Sequence, residues 1–155
     1  MVRFFTLIFL VVLGDQLSKI WIINNFHLYD SLVIIPGYLS LTFLRNTGAA
    51  FSMLAGHPVW WRQSLFVGIA IIALLVLFLV QRKLGRQNPM YTTSLGLIAG
   101  GALGNLIDRL AYGSVVDFLD IYIGRHHWPA FNVADSAITV GVCFFLFTQL
   151  TDNDG

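Results

Sequence analysis

The chain has 155 residues, 57% of them hydrophobic and 11% charged, and its mean hydropathy is +0.75. A soluble domain carries about 25% charged residues, so this composition excludes an ordinary soluble protein and predicts one integral membrane domain over residues 1–155. The net charge of +1, with nine Lys and Arg scattered beside apolar segments, gives no reason to expect a nucleic-acid partner. The lone Cys143, inside an apolar run, excludes an intramolecular disulfide and a Cys-based metal motif.

Arg3 followed by FFTLIFLVVLG has the look of a secretory signal, but no A-x-A pattern follows and the apolar run continues through Ile23. Residues 4–23 are therefore expected to be a retained first transmembrane helix, close to the ~20 residues a bilayer core requires. Asp15 and Lys19 stand four apart on one helical face, in the favourable acid-before-base order. They either pair with each other, or face the bundle interior and support a site near the outer surface, with Lys19 reaching toward the headgroups.

Residues 28–57 change texture. Leu39, Leu41 and Phe43 alternate with Ser40 and Thr42 after Pro36-Gly37, which predicts a short β-hairpin. RNTGAAFSML follows, where Asn46, Gly48 and two alanines form either an ordinary turn or a place of close backbone approach. Residues 64–81 are the clearest membrane helix, preceded by Trp60 and Trp61 as interface anchors. Arg82, Lys83 and Arg86 then mark a cytoplasmic loop, in agreement with Arg3 at the amino end.

The third helix is expected over 91–110. Gly96, Gly100 and Gly104 recur every fourth residue and place Asp108 next on the same stripe, a seam that permits close helix contact. Asn105, Asp108 and Arg109 then arrive together at its outer end. Residues 111–130 return along the outer surface, and a fourth helix runs over 132–150 with Asp135 in its first turns, where the helix dipole favours negative charge.

Four of the eight acidic residues fall between Gly100 and Asp135, in or beside segments apolar enough to span a bilayer. Carboxylates at membrane depth are costly and mark function. Two carboxyls brought close together resist joint ionisation, so the pair acts as base and acid on water without a metal or any other cofactor. Asp117 on the outer loop and Asp135 on the fourth helix suit that role, lying on separate segments. Asp108 and Arg109 suit a pair that fixes loop geometry, and spacing alone assigns no role to Asp120.

Five stretches carry a resemblance in order: GDQLSK at 14–19, RNTGAAFS at 45–52, GNLIDR at 104–109, VVDF at 115–118 and FNVADS at 131–136. Together they resemble the lipoprotein signal peptidase family, also called signal peptidase II, bacterial inner-membrane aspartic peptidases inhibited by globomycin. The resemblance implies Asp117 and Asp135 as the catalytic dyad. It implies supporting roles for Asp15, Lys19, Asn46, Asn105, Asp108, Arg109, Asn132 and Ala134, and a substrate cradle built on the hairpin and Gly48. The expected fold is membrane all-α, with four transmembrane helices, both termini cytoplasmic, and a small periplasmic β element between the first two helices. The implied reaction removes the signal peptide of a prolipoprotein just before a cysteine carrying diacylglycerol, in a multi-pass inner-membrane enzyme whose site faces the periplasm. Its expected partners are such prolipoproteins, membrane lipids and globomycin-type inhibitors.

Two rival classes remain at this level. Asp108, Arg109, Gly113, Asp117 and Asp120 faintly resemble the metal site of CDP-alcohol phosphatidyltransferases, without that pattern's opening Asp-x-x-Asp-Gly; such an enzyme needs a metal to hold phosphate. A proton-coupled carrier also buries Asp and Lys, but only four helices and no internal repeat speak against it. His126 and His127 read as interface residues rather than metal ligands.

Overall fold

The computed structural model describes residues 1–48, 60–85 and 88–152. Ala49–Ser52 of the RNTGAAFS stretch, and Met53, lie outside the described residues. The elements in chain order are α1 (Val2–Asn25), β1 (Ser31–Ile35), β2 (Leu39–Asn46), α2 (Trp60–Leu84), α3 (Pro89–Tyr112), β3 (Val115–Ile123), β4 (His126–His127) and α4 (Val133–Asp152). All four helices run past their expected carboxyl ends, because intrahelical hydrogen bonding continues after the apolar pattern stops.

Three helices, α1, α2 and α4, are long and apolar enough to cross a membrane. Their outer surfaces carry large exposed apolar side chains, such as Leu10 and Leu17 on α1, Ile72 and Leu75 on α2, and Phe147 on α4. Lipid solvates such a surface where water does not. On α2 the only buried residue is Gln81, which donates to Thr92 Oγ1 of α3 at 3.0 Å.

α3 is the centre of the bundle and touches the other three helices. Asn88 caps its start by accepting from Met90 N–H, Pro89 opens it, and Gly113 ends it at φ 72°, a left-handed conformation that suits glycine. Along the contact with α1, Gly96 faces Leu7, Gly100 faces Val11 and Gly104 faces Asp15, so both helices present every fourth residue and run parallel. Asp108 and Lys19 take the next step of both series and are joined by an ion pair. On the other side Gly101 abuts the Ala134 carbonyl and Gly141 abuts the Ser94 carbonyl, so α4 runs antiparallel to α3.

The expected hairpin exists, but as half of a larger element. β1 and β2 pair antiparallel around a turn with Gly37 at φ 84°. β2 pairs in turn with β3, and β3 with β4, in the order β1-β2-β3-β4. The fold is therefore mostly helical with a four-stranded sheet rather than all-α, and the sheet draws on both the α1–α2 and α3–α4 connections. Residues 115–127, expected to be only a surface return, supply two of its strands. Ile22 of α1, Phe43 of β2, and Val116 and Phe118 of β3 form the apolar cluster that seats the sheet on the helix ends.

Candidate active site

Asp117 enters from β3 opposite Leu44, at the place where an extra residue of β2 between Leu41 and Leu44 disrupts the pairing. Its side chain is buried, 3% exposed. Asn132 Nδ2 donates to its Oδ1 at 2.8 Å and Asn46 Nδ2 to its Oδ2 at 3.1 Å. Asp135 enters from the first turn of α4. Asn132 and Asp135 form a reciprocal cap there: Asp135 N–H donates to Asn132 Oδ1 at 2.9 Å, and Asn132 N–H donates to Asp135 Oδ2 at 3.3 Å. Asn105 Nδ2 reaches the other oxygen of Asp135 at 2.8 Å. Both carboxyls line one cavity of about 1360 Å³ bounded by the sheet, the carboxyl end of α3 and the first turns of α4.

Three amides frame these carboxyls, and a donor fixes the orientation of each. Lys19 Nζ donates to Asn105 Oδ1 at 3.1 Å, Gly48 N–H to Asn46 Oδ1 at 2.9 Å, and Asp135 N–H to Asn132 Oδ1. An ammonium or backbone N–H only donates, so the opposite NH₂ of every amide is turned toward a carboxylate. Burial pushes the Asp117 carboxyl up to about 7, and the neighbouring charge of Asp135 adds to the rise; bonds from Asn46 and Asn132 and the charge of Lys19 oppose it.

Behind the amides lies a buried ionic knot. Lys19 is 1% exposed and pairs with Asp15 at 2.8 Å and Asp108 at 2.9 Å, so it does not reach toward headgroups. Two carboxylates and an amide oxygen satisfy it inside, where the extended alternative would forfeit three contacts. Asp15 also accepts Ala134 N–H at 2.9 Å, and Asp108 accepts Val116 N–H at 3.0 Å. α1 and α3 thereby grip the segments that carry Asp135 and Asp117. Ala134 is fully buried, with its Cβ beside Gly104.

Asp108 does fix loop geometry, but Arg109 is not its partner. Arg109 donates to the carbonyls of Asn105 and Gly48 at 3.3 and 3.4 Å and lies over the Phe66 ring. Gly48 is thus tied at both its N–H and its carbonyl. Two residues that sequence reasoning missed belong here. Gln16 donates to Asp15, to Asp108 and to the Gly104 carbonyl, and Gln63 donates to the Arg109 carbonyl at 2.7 Å. The polar GDQLSK cluster carried a signal for Gln16; nothing in the spacing pointed to Gln63. Among the described residues no group of three or more His, Cys, Asp or Glu has the arrangement of a metal site.

A helical membrane bundle that holds two carboxyls in a large cavity beside a small sheet defines a polytopic membrane enzyme. The family model described as "Signal peptidase (SPase) II" matches residues 7–151, and the chain belongs to that family. Proteins named lipoprotein signal peptidase are similar over most of its length. That of Geobacter sulfurreducens is 49% identical over 92% of this chain and 90% of its own. That of Syntrophus aciditrophicus is 43% identical over 91% and 88%. A bacterial membrane enzyme solved by the in meso method at 2.3 Å superposes with a TM-score of 0.89 at 36% identity, covering 99% of this chain and 90% of that one. The lipid phosphotransferase alternative finds no support among these relatives.

Proposed function

We propose that the chain removes signal peptides from prolipoproteins with Asp117 and Asp135 as its catalytic dyad. The observation that carries this reading is the pair of carboxyls in one cavity, one of them holding its proton to near neutral pH. The proton rests on Asp117, the more deeply buried member. Burial pushes the Asp135 carboxyl up as well, but the bond from Asn105 and the charge of Lys19 oppose the rise; in this reading Asp135 is the member that takes a proton from water as the water oxygen attacks the scissile carbonyl. Asp117 gives its proton to the carbonyl oxygen. The tetrahedral diol then collapses, the amide nitrogen leaves with a proton returned by Asp135, and the hydroxyl proton goes back to Asp117. Protons and charge balance over the cycle, and no cofactor is needed. Asn46, Asn105 and Asn132 hold the two carboxyls in register, while Arg109 lines the cavity and holds the Gly48 carbonyl.

α3 completes a set of four membrane-spanning helices in this reading, with both termini and the Arg82–Lys83 end of α2 in the cytoplasm. The sheet and the dyad then face the periplasm of a bacterial inner membrane. Positive charge at Arg3, Arg82 and Lys83 supports this sense. Lipid tails of the diacylglyceryl cysteine stay in the bilayer beside α4 while the scissile amide reaches the dyad. A globomycin-type peptide inhibitor would compete for the same cavity. No nucleic-acid partner is proposed. The test compares a prolipoprotein with and without diacylglycerol on its cysteine, incubated with purified protein. Release of the signal peptide at the bond before the cysteine, from the lipidated form and blocked by globomycin, is expected. Cleavage elsewhere, or equal cleavage of both forms, would refute the reading.

A further inference from the structure

Asp120 and His127 lie outside the dyad and its amide frame, yet both line the same cavity. Asp120 is three positions beyond Asp117 on β3, about 10 Å along a strand. His127 faces Tyr122 across the β3–β4 ladder, and its ring stacks on that of Tyr122 with centroids 4.8 Å apart and planes 15° from parallel. His127 Nδ1 is 2.9 and 3.0 Å from the two oxygens of Asp120. An ionised carboxylate only accepts, so Nδ1 carries the proton and the imidazole has one orientation. Nε2 is left with no partner among the described residues.

The His127 side chain is 54% exposed, and an ion pair so exposed contributes little to folding. A ring fixed from two sides with a free nitrogen, in a cavity that already holds a reactive pair, is arranged for binding. Tyr29 lines the same cavity from the α1–β1 connection. It is 75% exposed and sits at φ 73°, a conformation that non-glycine residues rarely adopt and that concentrates at functional sites. Tyr29 and the Asp120–His127 pair thus line the cavity from different segments of the chain.

The direction of the substrate decides which segment meets the pair. Ser136, Ile138 and Thr139 of α4 carry the cavity wall away from Asp135 along a membrane-crossing helix, a path suited to the apolar signal segment. A half-hydrated ionic pair does not fit among lipid tails. We infer that Asp120 and His127 form a subsite for the main chain of the mature segment, about three residues beyond the scissile bond, with Nε2 bonding a backbone amide. This rests on the peptidase reading given above.

Three lipidated substrates with the same signal sequence test it: one ending in an amide at the cysteine, one continuing for four residues, and one carrying a polyether of matched length. The readout is the ratio of KM between the short substrate and each long one, with kcat followed separately. In wild type the peptide extension should lower KM roughly three- to tenfold, the value of a hydrogen bond or two, and the polyether should not. His127→Phe keeps a ring for the stack on Tyr122 and removes both nitrogens; it should bring the peptide ratio close to one, as should Asp120→Leu, which offers Nδ1–H no acceptor. Retention of the wild-type ratio by His127→Phe would show that the ring only packs and would overturn the subsite. So would a wild type that ignores the extension, or that gains equally from the polyether. Failure of wild type to cleave any of the three would overturn the peptidase reading itself, and the subsite with it.

Discussion

Burial and a like charge make Asp117 reluctant to ionise, and that reluctance has a measurable sign. Its carboxyl titrates at about 7 in the folded protein and near 4 once unfolded. Between those values the native state binds more protons, so this group's contribution to stability falls as pH rises from about 4 to 7. Heat unfolding in detergent should show a midpoint that declines from pH 5 to pH 7, and Asp117→Asn should lessen that decline, leaving the part due to Asp135, whose carboxyl burial also pushes up. A variant with the wild-type slope would mean that the charge of Asp117 is not penalised. Lys19→Met should be more severe at every pH, since it strands Asp15 and Asp108 in the interior, a loss of about 3–5 kcal/mol for a buried pair broken on one side. The carboxyls were conspicuous in the sequence because charge is rare in a chain 11% charged. Their amide frame was far less legible: Asn46 reads equally well as a turn residue, and the capture of Lys19 by Asp108 joins residues 89 apart in a contact no spacing reveals.

At the level of elements, the seam between helices explains why α3 is rich in glycine. A Cβ on Gly101 would overlap the Ala134 carbonyl and crowd Ile138, one residue before Asp135 in the first case. Gly68, on α2, has nothing within 4 Å of the same position. Gly101→Ala should cost about 1–3 kcal/mol by overpacking and reduce turnover by moving α4, whereas Gly68→Ala should leave both near wild type. Equal behaviour of the two variants in unfolding and cleavage assays would remove the argument for a fitted seam. The four-residue period of Gly96, Gly100 and Gly104 made the seam with α1 readable from the chain alone, whereas Gly101, which faces α4, lies off that period. β3 was not readable, because VVDFLDIYI buries its first four residues in succession and so lacks the alternation that marks a half-buried strand. Its pairing partner β2 is also some seventy residues away, and long-range pairing leaves no local trace.

On the scale of the whole molecule, α1 and α3 run one way and α4 the other, which sets every site residue at one end of the bundle. The proposed sidedness rests on the basic residues. In cells, with Cys143→Ser as background, a membrane-impermeant maleimide should label Tyr38→Cys on the sheet and spare Lys83→Cys at the end of α2; both positions are exposed. The reverse pattern would invert the molecule and place the dyad in the cytoplasm. The central claim concerns the dyad itself. It is tested by cleavage of a diacylglyceryl-modified prolipoprotein with wild type, Asp117→Asn and Asp135→Asn, each with and without a metal chelator. Both variants should lose about 10²–10⁴-fold in turnover while remaining folded, and chelator should change nothing. Wild-type turnover by either variant, or arrest by chelator alone, would contradict the account.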